Sequence, residues 1–251
     1  MRLDARAALQ CHEYLHKSFA PACFDLTDRA PDSPMMLELK RQGDIHEARV
    51  IENLLTKGLD VLVINKEQGE IEKELTTAEA LVNSTAQVII GAWISSVCEE
   101  KIAELTGRPK LSDPDRVSRP DLLVRVGEGA DGKPRWAPVD IKSHDPIEEN
   151  KSSKIYLSTW DSLLPNQGVE STARLDLEDA SQLAHYHEHL RTLGLATDEG
   201  FVGIIGRDIE TIVWAKLAET SIGLGGKDGD AGTDYLFKFD AAKQIVAAAQ
   251  A

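Results

Sequence analysis

The sequence predicts an α/β protein with a mixed central β-sheet flanked by helices. Three observations carry that prediction. Short apolar or alternating runs recur at residues 60–65, 87–95, 121–126, 136–143, 201–207 and 210–217, with the length and composition of strands. Two longer stretches, 35–57 and 177–193, place their apolar residues at helical spacing instead. Between residues 126 and 136 lies Gly-Glu-Gly-Ala-Asp-Gly-Lys-Pro, a cluster of turn formers, which folds its two flanking runs into a β-hairpin.

The elements follow in order. Residues 3–20 read as a short helix and 21–34 as a Pro- and Asp-rich link, with His12 and His16 making surface or interhelical polar contacts. In the helix 35–57, Leu39, Ile45, Ala48, Ile51, Leu54 and Leu55 form one stripe, and Gly58 supplies the stop. Gly43 lies three residues before His46 on the same face. A glycine there costs about 1 kcal/mol relative to alanine, and it lets another group approach closely beside the imidazole. A lone helical histidine is more often structural than a ligand.

Residues 66–73 read as an exposed charged connector. Residues 77–83 read as one or two helical turns capped by Thr76 or Thr77. Residues 99–116 read as a charged connection containing Pro109 and Pro114. The runs 87–95, 121–126 and 136–143 then form an antiparallel meander. Residues 145–177 lack periodicity and read as a long loop, a feature uncommon in compact domains unless it is functional or mobile. Trp160, Leu163 and Leu164 would pin its middle. Lys151 and Lys154 either lean over a phosphate backbone or are simply solvated.

Helix 177–193 has Asp176 and Asp179 at its start and Gly194 at its end. Leu183, Leu190 and Leu193 mark its buried side. Gln182 and Tyr186 share a face, with His189 one turn on. His185, His187 and His189 crowd the same helix, but there is no HExxH and 185 and 187 point apart, so no zinc site is read. The runs 201–207 and 210–217 form a second hairpin through Asp208-Ile209. Residues 223–232 are a flexible Gly/Asp link without the GKS/T of a phosphate cradle. Residues 235–251 read as helical. One domain, 1–251, is expected, with the Ala-rich end leaving room for a longer protein.

Composition narrows the classes. A 42% hydrophobic and 28% charged chain fits an ordinary globular protein. Its net charge of −14 is unlike that of a non-specific nucleic-acid binder, and any nucleic-acid binding should be strongly salt-sensitive. Cys11, Cys23 and Cys98 are odd in number and widely spaced, which indicates neither a disulfide framework nor a CxxC zinc site. No leader-like apolar segment and no apolar run of about 18 residues appears, so a cytoplasmic protein with no membrane contact is expected.

The chemistry concentrates in the first hairpin. Asp140 and Lys142 share one strand face, while Ala137, Val139 and Ile141 line the other. Folding about Asp131 returns Asp121 to the Asp140–Lys142 end. Two like carboxylates resist joint ionisation unless a cation sits between them. Mg²⁺ or Mn²⁺ suits such oxygen donors. A solvated hairpin face with a salt bridge would use the same residues.

Four pieces then stand in a fixed order: Gly43-x-x-His46-Glu47, Pro120-Asp121, Asp140-Ile141-Lys142 and Gln182-x-x-x-Tyr186. Together they resemble the RecB-type branch of the PD-(D/E)xK nuclease superfamily, which includes Cas4-like exonucleases. The likeness is nearest to the TM0106-type RecB family nucleases through RPDLLVR, WAPVDIKSH and DASQLAHYHEHLRTLG, and it spans roughly residues 3–250. It implies a restriction-endonuclease-like core and metal-dependent hydrolysis of DNA phosphodiester bonds, in repair, recombination or defence-type processing. By the same likeness His46, Asp121 and Asp140 would ligate Mg²⁺ or Mn²⁺, with the Ile141 carbonyl as a further ligand. Lys142 would orient or deprotonate the attacking water, and Gln182 and Tyr186 would position DNA, single- or double-stranded, or the Lys142 end of the site. Many Cas4-like relatives hold a [4Fe–4S] cluster on one early and three late cysteines. Cys11 matches the early one, but no cysteine follows Cys98, which argues against a cluster in this chain. The acidic balance favours a competing class, a non-catalytic module that binds DNA or a protein partner, or an added domain or partner that supplies positive charge.

Overall fold

The computed structural model describes residues 3–20, 31–109, 116–148, 153–165, 168–219 and 231–250. Cys23, Lys151, most of the 21–34 link and residues 223–230 of the Gly/Asp link lie outside the described residues.

A 3-10 turn, Ala5–Ala8, precedes helix α1, His12–Phe19. Helix α2 is Pro34–Leu55, started by Ser33, whose Oγ accepts from Met36 N at 3.2 Å, with Pro34 pre-set for the first turn. Strand β1 (Val61–Val63), helix α3 (Glu70–Asn83), strand β2 (Val88–Ile90) and helix α4 (Ser96–Thr106) follow. The hairpin is β3 (Leu122–Glu128) and β4 (Pro134–Ile141). Then come β5 (Ile147–Glu148), β6 (Lys154–Thr159), β7 (Val169–Thr172), β8 (Arg174–Leu175), helix α5 (Leu177–Thr192), β9 (Phe201–Ile205), β10 (Thr211–Lys216) and helix α6 (Ala231–Gln250).

Among the described residues, eight strands form one mixed, mostly antiparallel sheet in the order β1-β2-β3-β4-β9-β10-β6-β7, and β5 and β8 make a separate ribbon. Only β1–β2 and β4–β9 run parallel. The expected meander is present, since β2, β3 and β4 pair antiparallel in succession. The second hairpin is β9–β10. Alternation splits the core. Val50 and Leu54 of α2 pack with Val88, Leu122, Ala137, Val139 and Trp214 on one side. The other side meets α5, α6 and α1 through Val202 and Ile204, and α3 and α4 through Ile89, Leu123 and Trp136.

Four sequence expectations need correction. The connector 66–73 and the short turns at 77–83 are largely one helix, α3, starting after Gly69. Glu70 and Glu72 sit in its first turn, where the helix dipole favours acids. Thr77 is therefore mid-helix and buried, its Oγ1 accepting from Trp93 N at 3.1 Å, rather than a cap. The connection 99–116 contains α4, whose buried Cys98 and Ile102 are one turn apart and which stops at left-handed Gly107 (φ 66°). The run 87–95 is a strand only over Val88–Ile90, because Ser95 already serves as the N-cap of α4. The long loop 145–177 holds β5 to β8. Its strands are hard to see because β7 is an exposed edge and β6 mixes apolar and polar residues. Lys154 pairs with Glu170 across that edge at 2.8 Å, which is the solvated alternative. Trp160 and Leu163 are buried within the segment, and the Trp160 indole donates to Ile209 O at 2.9 Å.

Candidate active site

The β3–β4 register, Leu122 opposite Val139, carries Asp121 to the level of Asp140. Asp121 Oδ2 accepts from Ile141 N at 2.7 Å, so the carboxylate closes the hairpin end where the ladder stops. Asp140 projects to the α5 side and is 2% exposed. Its Oδ2 pairs with Lys142 Nζ at 2.6 Å. Burial, then the neighbouring Asp140, pushes the Asp121 carboxyl well above the ordinary carboxylate range, with Glu47 adding to the push. Burial works against the Lys142 ammonium, but Asp140, Asp179 and Asp121 outweigh it and the net shift is upward.

Helix α5 supplies the opposite wall. Asp176 accepts from Glu178 N and Asp179 N and so fixes its first turn. Lys142 Nζ donates to Gln182 Oε1 at 2.9 Å, and Gln182 Nε2 donates to Tyr186 Oη at 2.7 Å. Tyr186 is buried, and burial with the Asp140 and Asp121 charges drives its hydroxyl pKa upward. Two residues were missed by sequence reasoning as site members. Asp179, buried, lies 3.4 Å from Lys142 Nζ and 2.9 Å from His144 Nε2. The signal was in the spacing: Asp179 is one turn before Gln182, and His144 is two residues after Lys142, just beyond the end of β4.

The α2 wall differs from expectation. His46 Nε2 lies 3.0 Å from Gly206 O. A carbonyl only accepts, so Nε2 is the donor of this hydrogen bond. Gly206 directly follows Ile205, which pairs with Ile141 and accepts from Lys142 N at 2.9 Å, so His46 meets the same end of the sheet. A side chain at 206 would collide with Pro146 Cδ at 2.5 Å, which explains the glycine. Glu47, beside His46, is the α2 group whose charge acts on Asp121, and it pairs with Lys66 at 3.1 Å. Among the described residues, no three His, Cys, Asp or Glu side chains are gathered as a metal-ligand cluster. Asp121, Asp140, Lys142, Gln182 and Tyr186 therefore form one connected group, while His46 is held by the backbone at its margin.

The remaining histidines of α5 belong to the interior. His185 donates from Nε2 to Val117 O (2.8 Å) and accepts at Nδ1 from Tyr235 (2.6 Å). His189 bridges Ser118 Oγ (2.9 Å) and Glu99 Oε1 (2.8 Å). Both anchor the segment that runs into Arg119-Pro120-Asp121.

No family model, curated protein or solved structure matches this chain. Among the described residues, no helix is long and apolar enough to cross a membrane.

Proposed function

We propose that the chain is a Mg²⁺- or Mn²⁺-dependent nuclease that hydrolyses DNA phosphodiester bonds on a restriction-endonuclease-like core. The observation that carries this reading is the crowding of Asp121 against Asp140 at a buried strand end, with Lys142 the one ammonium paired there among the described residues. Such a pair is short of positive charge, and a hard divalent cation is the group that supplies it. The donor chemistry supplied at the hairpin end is that of two carboxylates, with the His46 imidazole at the margin of the group. A ligating histidine held through its other nitrogen by a carbonyl follows the usual second-shell rule.

When bound, the ion would polarise the scissile phosphate and acidify a water. The chain's own residues then divide the remaining work. Asp121 and Asp140 would hold the cation, with His46 and the Ile141 carbonyl as the further ligands that the family resemblance implies. Lys142, kept charged by its acidic neighbours, stabilises negative charge building on the phosphate and orients the water, a role better suited to it than proton removal. Gln182 and Tyr186 fix the Lys142 ammonium and line the cleft of about 530 Å³ that opens between α5, α1 and the N-terminal turn.

The competing reading is a non-catalytic binding module, favoured by the want of a third donor beside the two carboxylates. One assay separates them. Cleavage of single- and double-stranded DNA is followed with and without Mn²⁺, for wild type and Lys142→Ala. The nuclease reading expects Mn²⁺-dependent cleavage that the variant loses. Wild type without cleavage, or a variant as active as wild type, ends it.

A further inference from the structure

Beside Asp121 a second cavity of about 180 Å³ opens between α3, β1 and the strand leading into β3. Its lining includes Glu47, Lys66, Lys73, Trp93, Arg119 and Asp121. The Trp93 ring organises the basic members. The Arg119 guanidinium lies 3.7 Å from the ring centroid and the Lys73 ammonium 5.7 Å from it. Among the described residues neither cation makes an ion pair, although the chain carries a net charge of −14. Two like charges collected on one indole, in an acidic protein, lack an anion. The indole N–H is buried and has no acceptor among the described residues. Arg119 is exposed and also lines the larger cleft next to Gln182 and Tyr186, so it joins the two openings.

We infer that Trp93, Arg119 and Lys73 hold a backbone phosphate of the bound nucleic-acid strand, next to the one at Asp121 and Asp140. The inference rests on the nuclease reading for the identity of its ligand. Arg119 offers several N–H donors to a phosphate, Lys73 a point charge, and the indole a further donor. Glu47, which also lines the cavity, is already paired with Lys66 at 3.1 Å, and its charge acts on Asp121. A stacked guanidinium keeps its edge free for hydrogen bonds, so the ring stiffens Arg119 without consuming its donors.

The test is run without divalent ion, in EDTA, so that binding is read apart from cleavage. A fluorescent single-stranded oligonucleotide is titrated with the full chain and followed by anisotropy at several salt concentrations. Lys73→Gln and Arg119→Gln should each weaken binding about fivefold and flatten the salt slope by about 0.7, the value for one lost phosphate contact on a single strand. Lys73→Arg should restore the slope. Trp136, Trp160 and Trp214 are at most 2% exposed, so iodide quenching of tryptophan emission should report Trp93, and the oligonucleotide should protect it. Wild-type affinity and slope in both glutamine variants overturn the inference, as does a wild type that binds no oligonucleotide. Binding of this kind without Mn²⁺-dependent cleavage would sink the nuclease reading alone; cleavage with unaltered binding in the variants sinks the phosphate site alone.

Discussion

Helix α5 carries two polar clusters, and they are built to opposite rules. In the closed one, His185 and His189 are fully buried, and every ring nitrogen has a partner. Burial depresses the His185 pKa, as expected for an imidazole kept neutral. In the open one, Asp140 and Asp179 pair with the Lys142 ammonium, Asp179 also meets His144, and Asp121 is pushed toward protonation. The paired imidazoles of His185 and His189 hold the Val117–Ser118 segment in place. Three residues further along, the carboxylates of Asp121 and Asp140 are crowded together beside the Lys142 ammonium.

The contrast can be broken in several ways. The largest expected effect is Lys142→Ala, which should lower Mn²⁺-dependent DNA cleavage by about 10²-fold or more, the scale of a lost charge-stabilising group, with the circular dichroism spectrum retained. His189→Ala should act on stability instead. It strands Glu99 and Ser118 in the interior and should cost about 3 kcal/mol, a fall of about 6–12 °C in a thermal melt. Its cleavage below the melting range should stay far closer to wild type than that of Lys142→Ala.

Mn²⁺ at about 100 times its dissociation constant should stabilise wild type by about 2.7 kcal/mol, or about 5–10 °C. Asp140→Asn should show no such shift; an undiminished shift there would remove Asp140 from the cation site. Asp121→Asn sharpens the electrostatic half of the comparison. The folded protein holds the Asp121 proton more tightly than the unfolded chain does. Stability is therefore lost as pH rises from the ordinary carboxylate range through the raised pKa. In metal-free buffer the asparagine variant should melt above wild type at pH 7, a gap that closes near pH 4. The smallest effect belongs to Lys154→Ala on the exposed edge, expected within about 0.5 kcal/mol of wild type in stability.

Much of the site was legible because it is local. Asp121, Asp140 and Lys142 follow from one hairpin and its alternation, and Gln182 and Tyr186 from helical spacing. The Gly127 irregularity in the ladder did not disturb the register at the Asp121 end. What sequence spacing could not settle was long-range approach. Whether His46 or Glu47 turns toward the carboxylates depends on how α2 meets the end of β9: the Gly206 carbonyl holds His46, and Glu47 is the residue whose charge acts on Asp121. Asp179 read as a helix-start residue, and it is one; its second role appears only when β4 and α5 come together. Helices α3 and α4 were obscured by charge and proline. Their buried positions include Glu74 and Glu99, which break the apolar stripe that periodicity relies on.

The Gln182 amide has a direction. Lys142 gives a proton to its oxygen, and its nitrogen gives one to Tyr186, so the donors run one way along the line. An amide oxygen cannot carry a proton onward at neutral pH. The line is thus a strut and not a wire: it aims the ammonium while leaving it no route to discharge through the helix. Any proton leaving Lys142 must go by way of the carboxylates or the solvent, on the side where a phosphate would lie.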